Sequence, residues 1–357
     1  MKRKTVSSLK TDTSSAVGQS SLPTCSHGVA LRFTRKDTKT GIGRDFYACS
    51  ANRDRKVCPL FFWVDDWERK LRLKPDAVRS STAITSDNSK KAKTFDKVLG
   101  LEAYTDNAAN AQYLFDKVSI DRMVKILKSH LEHSCSHPVL CIGTPSIHRA
   151  LLCENIDSFL LDDDERLAKI LPKTIRFNMF NGEMYGNTLP IETLFSAVIA
   201  DPPFHPELLP ALFNTIASSF SLSEDCLTLL AFPYFNASQI TQAAPHMHMS
   251  DVRLTYRNHA KYKTADRSPV RLFSSRKIGS IVTELKDYGM CVKCEDLKHV
   301  SNAHCDACNQ CTSISGKHAF IHCKKCNTCV KPTAKHCDEC NRCFLSPHPH
   351  GRSDTDS

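Results

Sequence analysis

The sequence contains no apolar run long enough to cross a bilayer and no signal peptide, although 41% of its residues are hydrophobic. A spanning helix needs about 20 consecutive apolar residues, so these absences predict a soluble, intracellular protein without a membrane partner. Glycine is scarce as well, with 12 in 357 residues, and Gly143 stands alone where a G-x-G-x-x-G fingerprint would open a helix. That form of phosphate-binding loop is therefore excluded.

Cysteine, in contrast, is abundant, and its distribution excludes a secreted disulfide framework. Of 18 cysteines, 11 lie between Cys291 and Cys343 in C-x-x-C pairs that alternate with histidines. This alternation is typical of zinc ligands and of a reducing compartment. Three copies of the form HCxxCxxC begin at His304, His322 and His336, after one C-x-x-C pair that starts at Cys291. The repetition predicts a multi-zinc domain.

The net charge is +10, which favours a polyanionic partner such as a nucleic acid. A chain of 357 residues accommodates two or three domains, and its hydrophobic fraction is sufficient for at least one substantial core.

Composition divides the chain into five parts. Residues 1–20 are rich in lysine, serine and threonine and are expected to be a disordered tail. Residues 21–69 are dense in basic and aromatic residues, and residues 70–94 have the composition of a linker. Residues 95–289 form the largest domain, and residues 290–350 hold the cysteine repeats.

The largest domain alternates short apolar runs with helical patterns, which predicts an α/β fold with a mainly parallel sheet. The predicted strands are PVLCI at 138, DSFLL at 157, TIRFN at 174, LFSAVIA at 194, CLTLLAF at 226, DVRLTY at 251 and PVRLFS at 269. Because ligands bind at the carboxyl ends of parallel strands, the polar residues after these runs are the first candidates for a site.

The basic N-terminal segment contains a set of zinc ligands, namely Cys25, His27, Cys49 and Cys58. A Cys-x-His pair and two further thiolates supply the four ligands of a structural zinc site. The stretch from Cys25 to Trp63, which includes GIGRDFYACS, resembles the GRF-type zinc finger, a small β-rich module that binds nucleic acid.

Basic residues outnumber acidic ones in this finger, which predicts a phosphate-facing surface with aromatic rings that stack on bases. The basic residues are Arg32, Arg35, Lys36, Lys39, Arg44, Arg53, Arg55 and Lys56. The alternative is a zinc-stabilised knob whose charge only keeps it in solution.

The C-terminal repeats supply ligands for three interleaved sites, each with three cysteines and one histidine. The sets are Cys291, Cys294, His304 and Cys311; Cys305, Cys308, His322 and Cys329; and Cys323, Cys326, His336 and Cys343. Cys337 and Cys340 are left over, and His348 and His350 are the candidates to complete a further site with them. Together with the finger, the chain is expected to bind four or five zinc ions.

The same cysteine spacing resembles the cysteine-rich domain of DHHC palmitoyltransferases, which implies an acyl-transfer enzyme as an alternative. In that family the reactive cysteine follows Asp-His-His, and the domain lies between membrane spans. The matching text here is AKHC, ending at Cys337, with no aspartate and a single histidine. The residues that would activate the thiolate are missing, so we interpret the cluster as a structural scaffold that also contacts RNA.

The sequence Asp-Pro-Pro-Phe follows the predicted strand LFSAVIA. Aspartate and proline are turn formers, so the simplest interpretation is a turn. At a strand end, however, these residues resemble the [DNS]PP[YFW] motif of amino-group methyltransferases that use S-adenosylmethionine. The resemblance implies that the catalytic residues are Asp201, Pro202, Pro203 and Phe204.

The chemistry of an exocyclic adenine amine suits this motif, because the amine lone pair is delocalised into the ring. Asp201 and the Pro202 carbonyl can accept the two N–H groups and favour a more tetrahedral nitrogen. The two prolines hold these acceptors still, and Phe204 offers a face for a base that has left its stack.

The resemblance also implies a Rossmann-like methyltransferase domain and a cofactor site. The implied contacts are Gly143, Thr144, Asp162 or Asp164, Asn178, Phe180, Asn181 and Asp201 itself. The acidic residue would hold ribose hydroxyls, as in dinucleotide-binding folds, and the group near the third strand would contact the adenine. Upstream, QYLF would fold over the cofactor through Gln112, Tyr113, Leu114 and Phe115, although NAQYLFD is equally compatible with the start of an amphipathic helix.

The order of all these motifs resembles the zinc-finger CCHC-type N6-adenosine methyltransferases of large-subunit ribosomal RNA. The resemblance spans roughly residues 25–350 and includes QYLFD, CIGTP, LLDDDERL, NMFN, DPPF and SPVRLF. It implies S-adenosylmethionine and zinc as cofactors and ribosomal RNA as the substrate. It further implies RNA-helicase or ribosome-assembly partners, and a location in the nucleus and nucleolus as well as the cytoplasm.

Two other functions are left open by the sequence. QYLFD with DPPF also resembles methyltransferases that modify lysine of a translation elongation factor, and a catalytically inactive RNA-binding scaffold is the third interpretation. The basic finger favours RNA over lysine, since a lysine-directed enzyme has little use for a phosphate-facing module.

Overall fold

The structure, a computed structural model, describes residues 22–36, 41–52, 54–73, 94–96, 101–103, 113–133, 137–190, 193–265, 267–312, 314–315 and 318–345. Several sequence predictions fall outside these ranges, namely the tail 1–20, most of the linker 70–94, Lys39, Arg53, Gln112, His348 and His350. In the described part of the chain, no helix is long and apolar enough to cross a membrane.

The N-terminal unit is a small β-rich finger, as the sequence predicts. Its elements are β1 (Thr24–Cys25), β2 (Gly28–Val29), β3 (Leu31–Lys36), β4 (Gly43–Ala48), β5 (Phe61–Trp63) and α1 (Val64–Leu73). β3, β4 and β5 form an antiparallel sheet, and Tyr47, Val64 and Trp67 form a small core beneath it. Asp65 and Asp66 lie in the first turn of α1, where negative charge suits the helix dipole. A separate hairpin follows, formed by β6 (Thr94–Asp96) and β7 (Leu101–Ala103).

The central domain contains a seven-stranded sheet, and all seven predicted strands are present. They are β8 (Val139–Ile142), β9 (Ser158–Asp162), β10 (Thr174–Arg176), β11 (Leu194–Ala200), β12 (Ser221–Pro233), β13 (His248–Arg253) and β14 (Val270–Ser274). Their order is β10-β9-β8-β11-β12-β14-β13. The first five are parallel, whereas β14 runs antiparallel to both of its neighbours. The sheet is therefore mainly parallel, as predicted, with one reversed strand.

The register of three central strands determines where a site can form. Ile142 of β8 pairs with Leu161 of β9 on one side and with Ala200 of β11 on the other. These residues lie at or next to the ends of their strands, so the residues that follow them meet at one edge of the sheet.

Helices cover both faces of the sheet and bury its apolar side chains. They are α2 (Lys117–Glu132), α3 (Pro145–Cys153), α4 (Leu209–Ser219) and α5 (Ala237–Ala243). On α2, Met123, Ile126 and Leu127 follow the helical period and are fully buried. The helix begins after Asp116, whose carboxylate accepts a hydrogen bond from the Ser119 amide at 2.8 Å. QYLFD thus precedes the helix, and its described residues are extended.

The C-terminal part is a series of short hairpins. Their strands are β15 (Tyr288–Cys291), β16 (Asp296–His299), β17 (Ala303–Cys305), β18 (Gln310–Thr312), β19 (Ile314–Ser315), β20 (His318–Ala319), β21 (Ile321–Cys323), β22 (Thr328–Val330), β23 (Lys335–Cys337) and β24 (Arg342–Phe344). The first hairpin packs on the central domain, because Leu297 is fully buried and the Tyr288 hydroxyl accepts from the Arg253 amide at 2.9 Å. The predicted domain boundary at residue 290 falls inside this docked hairpin.

Candidate active site and metal centres

The carboxyl edge of the sheet brings together three residues that the sequence proposed for one site. Gly143 follows β8, Asp162 ends β9 and Asp201 follows β11. The Gly143 amide donates to the Leu161 carbonyl at 2.8 Å, and the Asp201 amide donates to the Ile142 carbonyl at 3.1 Å. The hydrogen-bond ladder therefore continues to the edge and fixes all three backbones there.

Gly143 is required by its conformation and by its surroundings. Its φ is +65°, a region that side chains disfavour. A Cβ atom at this position would lie 3.1 Å from the Asp201 carbonyl oxygen and 3.1 Å from Cε of Met179. Glycine at this position therefore allows the Asp201 backbone and Met179 to pack closely against the end of β8. Thr144, the next residue, is buried at the start of α3.

The structure distinguishes the two acidic candidates for the ribose contact. Asp162 ends β9 and is only 6% exposed. Asp164 is held instead by Arg166, whose Nε donates to Oδ1 of that carboxylate at 2.6 Å. Asp162 accepts a hydrogen bond from the Asp164 amide and is therefore fixed at the strand end. Asp162 is the better candidate for ribose.

Two of the residues proposed for the adenine contact, or for the group beside it, also bind the finger. The Asn178 amide donates to the His27 carbonyl at 3.0 Å and to the Ser50 hydroxyl at 2.8 Å, and its oxygen accepts from the Phe180 amide. The Asn181 amide donates to the His27 and Val29 carbonyls, each at 2.9 Å.

These contacts give the third-strand residues a role that the sequence did not predict. Both N–H groups of the Asn178 amide bind the finger, so this side chain holds the finger, and its proposed contact with the adenine stays a prediction. Phe180 is 7% exposed and packs in the core with Phe33 of the finger. Met179, which the sequence argument passed over, is the residue of this loop that reaches Gly143.

The Asp201 carboxylate is paired with a tyrosine that the sequence argument did not identify. Tyr256 follows β13, is 2% exposed and donates its hydroxyl proton to Oδ1 of Asp201 at 2.8 Å. Burial raises the pKa of Asp201 well above the usual value for an aspartate. The Tyr256 hydrogen bond opposes this rise in pKa, and the nearby Asp162 charge adds to it.

Aromatic rings cluster on the Tyr256 side of this carboxylate. Phe204 lies edge-on to Phe232 with ring centroids 5.4 Å apart, and it also contacts Tyr256 and Tyr262. Pro202 is buried, whereas Pro203 is exposed. The only sequence signal for Tyr256 and Tyr262 was their presence in the aromatic segment LTYRNHAKY. Because both tyrosines are far from Asp201 in the sequence, no local pattern linked them to its site.

The segment Tyr113–Asp116 pairs with the chain that carries Tyr256. The Leu114 amide donates to Oδ1 of Asn258 at 2.8 Å, and its carbonyl accepts from the Arg257 amide at 2.8 Å. Phe115 is buried and stacks on Tyr256 at 4.7 Å, while Tyr113 is 38% exposed. Leu114 and Phe115 therefore anchor the segment, and Tyr113 is the described residue of QYLF that remains available to a ligand.

Four metal centres appear with the ligand sets that the sequence predicts. In each set the ligand atoms all lie within 4.8 Å of one another. The sets are Cys25, His27, Cys49 and Cys58; Cys291, Cys294, His304 and Cys311; Cys305, Cys308, His322 and Cys329; and Cys323, Cys326, His336 and Cys343.

The spacing of these atoms fits tetrahedral zinc and excludes disulfides. The Sγ atoms of Cys326 and Cys343 are 3.6 Å apart, and those of Cys308 and Cys329 are 3.5 Å apart. A disulfide requires about 2.05 Å. Zinc–sulfur bonds of about 2.3 Å in a tetrahedron place the sulfur atoms roughly 3.7 Å apart. The residues therefore fit zinc.

The first and third C-terminal centres are copies of one unit. Lys293 pairs with Asp306 beside the first centre, and Lys325 pairs with Asp338 beside the third. The residue after each second C-x-x-C cysteine has a positive φ, namely Glu295, Asn309, Asn327 and Asn341. In the described part of the chain, Cys337 and Cys340 join no group of three ligands, and the predicted fourth C-terminal centre stays a prediction.

The basic surface of the finger is partly neutralised by its own carboxylates. Arg32 donates to Asp45 at 2.7 Å, and Arg44 donates to Asp65 at 2.8 Å. The Arg44 and Arg55 guanidinium groups also cover Trp63 and Phe61, at 4.1 and 3.6 Å from the ring centroids. Arg35 and Lys36 are exposed. The expectation of open aromatic faces and free cations therefore holds for only part of this surface.

The chain is similar to proteins of known family. The family described as "Probable N6-adenine methyltransferase" matches residues 106–275. The rRNA N(6)-adenosine-methyltransferase ZCCHC4 of Xenopus tropicalis is 31% identical, with 79% of this chain and 73% of that protein aligned. The Homo sapiens protein of the same name is 28% identical, with 83% and 72% aligned. Among solved structures, the putative methylase HI0767 from Haemophilus influenzae has 16% identity and a TM-score of 0.31, and covers 44% of this chain and 99% of its own.

Proposed function

This chain belongs to the family of rRNA N(6)-adenosine-methyltransferases named ZCCHC4, and from this premise we propose that it methylates the N6 amine of an adenosine in ribosomal RNA. The large ribosomal subunit is the proposed source of that RNA. The observation that carries the proposal is the position of Asp201, which lies at the sheet edge beside Gly143, where its carboxylate binds Tyr256 and Phe204 contacts the Tyr256 ring.

The residues at this edge divide into a donor side and an acceptor side. S-adenosylmethionine supplies an electrophilic methyl group when it is bound. Asp162, at the end of β9, would hold the ribose of the cofactor, and Met179 reaches Gly143 from the loop after β10. The Asp201 backbone also lies against Gly143, and its carboxylate, which binds Tyr256, is proposed to face an incoming base.

Asp201 and Pro202 orient the amine in this proposal. Because Tyr256 occupies Oδ1 of Asp201, Oδ2 is left to accept one N–H group of the adenine amine. The Pro202 carbonyl accepts the other N–H group, and the rigid Pro202–Pro203 backbone keeps the two acceptors aligned. Phe204 is partly exposed and supports the face of the base after it leaves its stack.

The zinc modules would present the RNA and stiffen the site. Asn178 and Asn181 hold the finger against the loop whose Met179 reaches Gly143, so the finger is anchored next to the proposed cofactor site. The zinc ions would cross-link short hairpins that contain too little apolar surface to fold alone. The finger and the first C-terminal hairpin are both docked on the central domain, and in this proposal they extend its substrate-binding surface.

A labelling experiment tests the proposal. Purified full-length protein is incubated with methyl-labelled S-adenosylmethionine and, separately, with total RNA or total protein. Label in N6-methyladenosine of ribosomal RNA is expected, and the Asp201→Ala variant is the control. Label in protein lysine would establish the lysine-directed alternative, and cofactor binding without transfer to either pool would indicate an inactive scaffold.

We further propose that the protein acts in the nucleus and nucleolus, and also in the cytoplasm, where large subunits are assembled and mature. RNA helicases and ribosome-assembly factors are the proposed partners, because a site inside folded ribosomal RNA needs to be opened. Imaging of the tagged protein and mass spectrometry of proteins that co-purify after RNase treatment test both points.

A further inference from the structure

A cationic loop lies beside the Asp201 pocket, in the connection between β13 and β14. The chain leaves the pocket after Tyr256 and returns to the sheet at Ser268, before β14 begins. Four exposed cations follow in this connection: Arg257, Lys261, Lys263 and Arg267. None of the roles described so far involves their side chains.

Hydrogen bonds fix the first half of this loop. The Tyr256 amide donates to the Tyr262 carbonyl at 2.9 Å, which closes the loop on itself. Inside it, Nδ1 of His259 accepts from the Lys261 and Tyr262 amides, each at 3.1 Å. Because Tyr256 also binds Asp201, the cations have a defined position relative to the catalytic carboxylate.

A column of rings runs from the protein surface to the catalytic motif alongside these cations. Tyr113 and His259 have centroids 4.6 Å apart, and His259 stacks on Tyr262 at 4.0 Å with an interplanar angle of 5°. Tyr262 in turn lies 6.4 Å from Phe204. The outermost ring, Tyr113, is 38% exposed.

We propose that this loop is the binding surface for the RNA strand that flanks the target adenosine. Lys261, Lys263 and Arg267 contact its phosphates, and the exposed end of the ring column takes an adjacent base. Single-stranded nucleic acid is bound in this way, by cations that follow the backbone and rings that stack on bases. The inference rests on the proposed function, since it assumes an RNA substrate for the Asp201 site.

The position of the finger supports this assignment. The finger docks on the loop after β10, at one end of the sheet order, whereas the cationic loop joins β13 and β14 at the other end. Asp201 follows β11, between them. An RNA strand that contacts both surfaces would therefore pass over the catalytic carboxylate.

Direct binding tests the surface separately from catalysis. The combined Lys261→Ala, Lys263→Ala and Arg267→Ala protein and the wild type are titrated with a fluorescent single-stranded RNA of about 12 nucleotides at several salt concentrations. Loss of three phosphate contacts should weaken binding about tenfold and lower the slope of log K against log salt by about 2. Affinity for S-adenosylmethionine, measured by calorimetry, should not change.

A second triple variant controls for net charge. Lys125, Lys169 and Lys286 are exposed outside this loop, and their replacement by alanine removes the same charge. This control should retain the wild-type affinity and salt slope. An equal loss in the control, or a wild-type slope in the loop variant, would overturn the proposal. So would a loop variant that loses affinity for an acidic peptide while it binds RNA normally.

The outcomes also separate this surface from the proposed activity. If the wild type binds the oligonucleotide through the loop but methylates no RNA, the activity is wrong and the surface is supported. The opposite result is also informative. If the wild type methylates ribosomal RNA, and the loop variant binds and methylates that RNA equally well, the proposed activity is supported. The assignment of this loop as an RNA-binding surface is then wrong.

Discussion

The Tyr256 hydroxyl donates a 2.8 Å hydrogen bond to Oδ1 of Asp201, across 55 residues of sequence. Tyr256 is 2% exposed and its ring stacks on Phe115, so the donor has little freedom to turn away. A hydrogen bond to a charged group in a buried site is stronger than one in water. Tyr256 therefore fixes the orientation of the carboxylate and favours its ionised form.

Replacement of Tyr256 by phenylalanine tests this positioning role. The variant keeps the ring stack but loses a hydrogen bond to a charged group, so kcat should fall about 10- to 100-fold. The affinity for S-adenosylmethionine should stay near the wild-type value. Loss of the donor should also raise the pKa of Asp201 further and move the acidic limb of the kcat profile to higher pH. Tyr262→Phe is the matched control, and an equal effect there would refute the assignment.

Two substitutions of Asp201 separate its charge from its ability to accept hydrogen bonds. Asp201→Ala should reduce methyl transfer at least about 100-fold while zinc content and RNA affinity stay near wild type. Asp201→Asn retains an acceptor oxygen, so it should keep measurable activity without the acidic limb. An asparagine variant as inactive as the alanine variant would show that the negative charge itself is essential.

Stability should respond to the same asparagine substitution in the opposite direction from activity. Because folding raises the pKa of Asp201, the free energy of unfolding falls as the pH rises from the usual aspartate pKa to the raised pKa, and it stays lowered above that pKa. Asp201→Asn removes this cost, and the melting temperature at neutral pH should rise. A melting temperature below that of the wild type would show that the carboxylate supports the fold.

Phe204 tests the stacking interpretation. Phe204→Ala removes the ring that faces the base and should reduce kcat strongly, whereas Phe204→Tyr keeps an aromatic face and should retain most activity. Single-turnover methylation of a short RNA measures both. If the tyrosine variant is as impaired as the alanine variant, the ring does not act by stacking.

Metal content follows from the ligand sets. The described centres predict four zinc ions in each chain. Cys49→Ser should lower the count by one and unfold the finger locally, because zinc binding supplies much of the folding energy there. Cys153→Ser, at an exposed cysteine outside the four sets, is the control. A count of five in the wild type would assign a further ion to Cys337 and Cys340.

The contact between finger and sheet should be measurable as stability. Asn178→Ala leaves the His27 carbonyl and Ser50 hydroxyl with fewer partners and should lower the free energy of unfolding by about 1–3 kcal/mol. Asn187→Ala, at an exposed asparagine that bonds only within its own turn, should have little effect. Urea titrations of both proteins provide the comparison. Equal stability of the two variants would contradict the docking role of Asn178.

The sequence by itself determined the parts of this protein whose chemistry is local. Apolar runs marked all seven strands, because buried parallel strands are continuous in apolar residues. Cysteine and histidine spacing gave the four metal centres, because a short zinc-binding unit takes its ligands from nearby residues. Asp201 was found because a two-proline motif after a strand is a local signal.

Only the tertiary structure decided which distant groups share a site. Tyr256 reaches Asp201 because β13 and β14 bring the following loop back to the carboxyl edge, a consequence of strand order that no local pattern contains. Asn178 was assigned to the cofactor from its place after β10, but docking of the finger uses its hydrogen-bonding groups. Strand positions follow from burial within a segment, whereas these contacts depend on how separate segments pack against one another.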